Sequence, residues 1–156
     1  MIRTIAGFHA DDAGEWVAEL SCLHAQHVRN RPPWQQRPWV LTVAGRDGRL
    51  GAEIDCALCA RAELPDGLVV ARTAGPFTSD TLPAAIRREH KVADRTWGLL
   101  RVTSGAVAFS LSTNPQMTVR LTAPASQPIP PGVAHAVTPE DGASVEIDFL
   151  VPPRVG

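Results

Sequence analysis

Five metal-ligating side chains in the first 60 residues constrain the fold of this chain more than any other feature. They form the spacings Cys22-x-His24-x-x-His27 and Cys56-x-x-Cys59. A Cys-x-x-Cys turn presents two thiolates, and a second pair from upstream can complete the tetrahedron that zinc prefers in structural sites. We therefore predict a zinc site formed by Cys22, Cys56, Cys59 and one of the two histidines, either His24 or His27.

The odd number of cysteines argues against a framework of disulfide bonds. The chain has 3 Cys, and an odd count without a secretory signal points to thiol or metal chemistry. Two alternatives stay open. Cys22 can be a small buried apolar residue beside ordinary histidines, or Cys56 and Cys59 can form a redox pair, although no thioredoxin-like βαβ pattern surrounds them.

The first 60 or so residues contain short alternating segments but little apolar material for a core. We predict strands at residues 5–9, 16–20, 39–44 and 50–54, with a tight turn at 45–48 and a proline-rich loop before the third strand. A domain of about 60 residues is marginally stable unless a metal or disulfide stabilises it. The expectation is a small zinc-stabilised β-hairpin domain at 1–64, separated by Pro65-Asp66-Gly67 from a second domain at 68–156.

The first domain resembles a bacterial family of short uncharacterised proteins over about residues 2–64. The family implies no activity. The motifs that carry the resemblance are Gly7-Phe8-His9-x-Asp11, Trp16-Val17-Ala18-x-Leu20, Cys22-x-His24-x-Gln26-His27-Val28-Arg29, Pro32-Pro33-Trp34, Arg37-Pro38-Trp39-Val40 and Cys56-x-x-Cys59.

The second domain has the pattern of an all-β barrel or sandwich. Short apolar or alternating segments at residues 97–102, 106–111, 117–121, 127–129, 135–138 and 143–151 are separated by turn residues. Five to seven strands at such intervals are typical of these two architectures. The fold class predicted for the whole chain is therefore mainly β.

Pro130-x-Gly132-x-x-His135 resembles the second conserved motif of cupins. Together with Thr96-Trp97-Gly98 and the ending Glu146–Pro152, it makes residues 72–153 similar to the cupin-like domain of the TehB/YeaR tellurite-resistance group. The resemblance implies a cupin-like jelly-roll β-barrel and, in some members, pairing of two copies, so we expect a homodimer.

The same resemblance implies a second metal site, for a divalent ion of unknown identity. His90 and His135 match the characteristic histidines of the group, and Asp148 matches an acidic position on the last strand. Glu146 shares a strand face with Asp148 because side chains two residues apart point the same way. Either acid can therefore serve as the metal ligand, and Glu146 is also a candidate to contact the bound ligand. Arg101 is a candidate to orient an anionic ligand.

Charge and hydropathy exclude several kinds of partner. The net charge is −1, which gives no basic surface for nucleic acid. No apolar run reaches the length of about 18 residues that spans a membrane, and the N-terminus lacks the apolar core of a signal peptide. We expect a cytoplasmic protein without nucleic-acid or membrane partners.

The favoured function is a metal-binding, stress-related protein whose second domain binds or senses a small ligand, with an oxyanion as one candidate. A metal-dependent enzyme acting on a small molecule is the first alternative, because open metal positions can take a substrate. A protein-interaction module is the second. Whether the chain is an enzyme stays open, since cupin-like barrels have many functions.

Overall fold

The computed structural model describes residues 1–155 and is mainly β, as predicted. The chain divides into two compact units, Met1–Ala57 and the part from Leu58 onward. Among the described residues, no helix has the length and apolar character needed to cross a membrane.

The elements up to residue 60 are, in chain order, β1 (Ile2–Ala10), β2 (Trp16–Leu20), β3 (Ala25–His27), α1 (Val43–Asp47), β4 (Glu53–Asp55) and α2 (Ala57–Ala60), which begins at the last residue of the first unit. The first unit is built around one antiparallel sheet with the strand order β3-β2-β1-β4. The turn between β1 and β2 is closed by Asp11, whose Oδ1 accepts hydrogen bonds from the backbone N–H groups of Ala13 and Glu15.

The third predicted strand of this unit, at residues 39–44, is wrong. A 3-10 helix, Pro38–Leu41, and α1 occupy this segment and the turn predicted after it. Pro38 is accommodated in the first turn of a helix, where its missing N–H costs nothing. Thr42 then caps α1, since its Oγ1 accepts a hydrogen bond from Gly45 N at 3.0 Å. The strand predicted at 50–54 is reduced to β4.

The apolar core of the first unit is small, as its length requires. Its largest fully buried apolar side chains are Leu20, Val28 and Val40. Among the described residues of this unit no Phe or Trp is buried, so the unit buries little of the surface that usually stabilises a domain.

The strands of the second unit are β5 (Val69–Thr78), β6 (Trp97–Ser104), β7 (Ala106–Leu111), β8 (Met117–Thr122), β9 (Ala125–Ile129), β10 (His135–Pro139) and β11 (Ser144–Val151). They form two antiparallel sheets, with strand orders β5-β11-β6-β9 and β10-β7-β8. The six predicted segments all appear as strands, with ends shifted by at most two residues.

Buried and exposed residues alternate along the strands of this unit. On β7, Val107, Phe109 and Leu111 are fully buried while Ala108 between them is exposed. On β11, Val145 and Ile147 are buried apolar residues. This alternation is the pattern of two sheets that each turn one face to a shared core.

Candidate metal and ligand sites

Four of the five predicted cysteine and histidine ligands lie together in one buried cluster. Cys22 follows β2 and His24 precedes β3, so the turn between these strands presents both. Cys56 follows β4, and Cys59 lies on α2. The four side chains are between 0 and 5% exposed, and their ligand atoms all lie within 4.8 Å of one another.

The distances among three of these atoms are close to the edges of a tetrahedral zinc site. Cys22 Sγ lies 3.8 Å from Cys56 Sγ, and His24 Nδ1 lies 3.4 Å from each of these two sulfurs. Bond lengths of about 2.3 Å for Zn–S and about 2.0 Å for Zn–N give tetrahedral edges of about 3.8 Å and about 3.5 Å. Cys59 Sγ lies within 4.8 Å of the other three ligand atoms, so the cluster could hold a metal ion.

His27, the fifth predicted ligand, lies outside the cluster. Its Nε2 is 2.8 Å from Asp11 Oδ2, and its side chain is 41% exposed. The hydrogen bond from His27 is the main cause that lowers the pKa of Asp11. Glu15 lies close to the same pair but is already held in ion pairs by Arg29 and Arg31. These groups fix the β1–β2 turn, and the structure gives His24 the position that the spacing left open.

The histidines of the second unit form a pair. His90 and His135 exchange two backbone hydrogen bonds of 2.9 Å, so their side chains share a face, with ring centroids 5.5 Å apart. His135 is 3% exposed and stacks on Phe109. Burial lowers the pKa of His135, although a hydrogen bond to the Val133 carbonyl opposes the shift. Burial of His135 therefore favours the neutral form of its imidazole.

Asp148 does not join the two histidines. It accepts hydrogen bonds from Arg101 Nε at 2.7 Å, Arg101 Nη2 at 3.0 Å and Thr73 Oγ1 at 2.7 Å. Glu146 lies 2.8 Å from another nitrogen of the same guanidinium. The hydrogen bonds from Arg101, and to a smaller extent that from Thr73, lower the pKa of Asp148. Asp148, followed by Glu146, raises the pKa of Arg101.

The predicted second metal set is thus not assembled. Among residues 1–155, no group of three metal-ligating side chains with converging atoms includes His90, His135 or Asp148. Arg101 and Glu146, predicted to contact a ligand, instead form an ion-pair network with Asp148. The reason is the strand register, which places Arg101 of β6 opposite Glu146 and Leu99 opposite Asp148 of β11.

A cavity of about 400 Å³ lies on the other face of this sheet. Phe149 lines it and directly follows Asp148, so the two side chains point to opposite faces. Sequence reasoning missed its two cations, Arg72 and Lys91, although Lys91 directly follows His90. The cavity is lined by Ala71, Arg72, His90, Lys91, Val92, Ala93, Thr96, Phe149 and Val151.

Replacement of Arg101 by glutamine is expected to destabilise the second unit by about 1–3 kcal/mol at pH 7. Loss of one partner leaves Asp148 charged and almost buried, but the guanidinium is 35% exposed and solvent screens part of the effect. The native pair stabilises the fold above the usual carboxyl pKa, and this contribution is lost as pH falls through the lowered pKa of Asp148. Urea unfolding of both proteins at pH 7 and pH 3 should show the difference shrinking in acid; a constant difference would contradict the assignment.

These features define a two-domain, mainly β protein with a buried cluster of three cysteines and one histidine. Residues 6–63 match DUF3565, described as a protein of unknown function, and residues 72–147 match the TehB-like domain. The chain therefore carries a DUF3565 domain followed by a TehB-like domain. The TehB-like part of the resemblance drawn from the sequence is confirmed, and no curated protein matches the chain.

Two solved structures are similar to part of the chain. One is the crystal structure of a structural-genomics target from E. coli (strain K12), 25% identical with a TM-score of 0.52, covering 60% of this chain and 91% of that one. The other is TehB from Haemophilus influenzae, 23% identical with a TM-score of 0.51. It covers 57% of this chain, which spans only 33% of TehB. The likeness to TehB is a likeness of fold.

Proposed function

We propose that this is a metal-binding, tellurite-resistance-related protein with a structural zinc ion in its first domain and a small-ligand site in its second. The observation that carries the proposal is the buried cluster of Cys22, His24, Cys56 and Cys59, whose ligand atoms all lie within 4.8 Å of one another. Tellurite resistance enters through the TehB-like domain.

Zinc suits this cluster better than magnesium or calcium. Three thiolates and one imidazole form a soft, tetrahedral donor set, whereas magnesium and calcium prefer six or more oxygen ligands. Four protein ligands leave no position for water or substrate, so the ion would link strands and helix without taking part in a reaction. Because the apolar core of the first unit is small, this link would supply stability that the core lacks.

For the second domain we propose a cupin-like closure of the two sheets around a small-ligand site. The cavity beside His90 supports binding, and an oxyanion is one candidate because Arg72 and Lys91 line the cavity. The proposal includes no metal ion in the second domain, since Asp148 is already bound by Arg101. Cytoplasmic location and a homodimer stay predictions.

Metal analysis of the full-length protein, purified without a histidine tag, tests the zinc site. We expect one zinc per chain, lost or strongly reduced in His24→Gln and retained in the matched variant His27→Gln. His27 is the control because it is of the same residue type, lies three residues away and binds Asp11 instead. A folded wild-type protein without metal, or loss of zinc in His27→Gln alone, would refute the proposal.

A further inference from the structure

We propose that the 400 Å³ cavity of the second unit binds a small organic carboxylate, with its charged end at Arg72 and Lys91 and a short apolar body against Val92, Phe149 and Val151. The inference rests on the proposed function, in which the second domain binds a small ligand, and it names the chemical class of that ligand.

The charge of the cavity favours an anion. Arg72 and Lys91 line it, and none of its lining residues is acidic. In the described part of the chain, neither cation has a carboxylate within ion-pair distance. Arg101, on the opposite face of the sheet, is by contrast paired with two carboxylates. The cavity is thus a place where positive charge is left for an external partner.

Arg72 is held in a geometry that suits a planar anion. It stands directly opposite Phe149 across the β5–β11 pair, and its guanidinium carbon lies 3.9 Å from the centroid of the Phe149 ring. Stacking on an aromatic face engages the flat side of the guanidinium and leaves its N–H edge available. That edge forms two parallel hydrogen bonds with a carboxylate.

The size and the remaining lining favour an organic ligand over an inorganic oxyanion. The cavity volume lies within the range of about 300–1,000 Å³ that is usual for small-molecule sites. Ala71, Val92, Ala93, Phe149 and Val151 give it apolar walls. A bare oxyanion would leave these walls in contact with water, whereas a short hydrocarbon body would bury them. Thr96 and His90 add hydrogen-bonding groups to the same cavity.

Calorimetric titration of the full-length, zinc-containing protein with hexanoate tests the inference. Hexanamide serves as the neutral analogue and sodium tellurite as the inorganic anion. We expect hexanoate to bind at least about tenfold more tightly than hexanamide or tellurite. Arg72→Gln should weaken hexanoate binding by about tenfold or more, and Lys91→Gln should also weaken it. Arg88→Gln is the matched control, because Arg88 is exposed and does not line the cavity.

The outcomes separate this inference from the proposed function. Tellurite binding that is lost in Arg72→Gln, without hexanoate binding, would overturn the organic ligand and support the oxyanion site. Hexanoate affinity that is equal in the wild type and in both cavity variants would overturn the assignment of the cavity. Failure of both anions to bind a zinc-loaded wild-type protein would overturn the inference and the ligand-binding part of the proposed function, while leaving the zinc site intact.

Discussion

Replacement of Cys59 by serine is expected to unfold the first domain and to leave the second folded. The thiol lies on α2, is fully buried and belongs to the cluster with Cys22, His24 and Cys56. A structural zinc contributes about 10–16 kcal/mol in zinc-finger peptides near neutral pH. Whole domains are stable by only about 5–15 kcal/mol. The free energy lost with the metal is therefore larger than the stability that the small core around Leu20, Val28 and Val40 can supply.

Amide hydrogen exchange of the full-length protein measures this prediction. In Cys59→Ser, and in the wild type treated with a strong zinc chelator, protection should be lost in β1 and β2 and kept in β6, β7 and β11. Arg61→Gln is the matched control, since Arg61 lies two residues away in an exposed ion pair with Glu63 and such pairs contribute little to stability. Native-like exchange protection of β1 and β2 after complete metal removal would contradict the prediction.

Replacement of Phe109 by alanine is expected to destabilise the second domain by about 3–5 kcal/mol. Phe109 is 0% exposed in the middle of β7, opposite Val137 of β10 and Val119 of β8. Its ring also stacks on His135. Truncation removes apolar burial and leaves a cavity, and the two costs add because the surrounding side chains relax only partly.

Urea unfolding followed by circular dichroism should show the loss as a lower midpoint with a similar slope. Ala108→Ser is the matched control: Ala108 is the preceding residue, is exposed and lies on the opposite face of β7. It should change stability by less than about 0.5 kcal/mol. Zinc content should remain that of the wild type in both variants. A Phe109→Ala midpoint within error of the Ala108→Ser midpoint would show that the β7 face does not form the core.

Six strands of the second domain were predictable because they are short apolar or alternating segments bounded by turn residues. The remaining strand, β5, is mostly exposed and was not predicted. In the first domain, residues 39–44 are apolar enough for a strand. Pro38 at the start of the 3-10 helix and the cap at Thr42 instead favour helical backbone hydrogen bonds. Local capping outweighed apolar pattern at this position.

The metal cluster was predictable in composition but not in full. Spacing allows either His24 or His27 to reach the cysteines. In the structure His27 instead binds Asp11, which lies in the β1–β2 turn. In the second domain, the sequence correctly placed Glu146 and Asp148 on one strand face. Which face meets the cavity depends on the neighbouring strands, and Arg72, not Arg101, lines the cavity.

The four cluster residues come from two short segments, 22–24 and 56–59, that lie more than thirty positions apart in the chain. A metal bound there would close a long loop, and closing a long loop restricts the unfolded chain more than closing a short one. It would also set an order of events during synthesis. Domains generally fold as units as the chain emerges, and this one could not complete its site until Cys59 had left the ribosome.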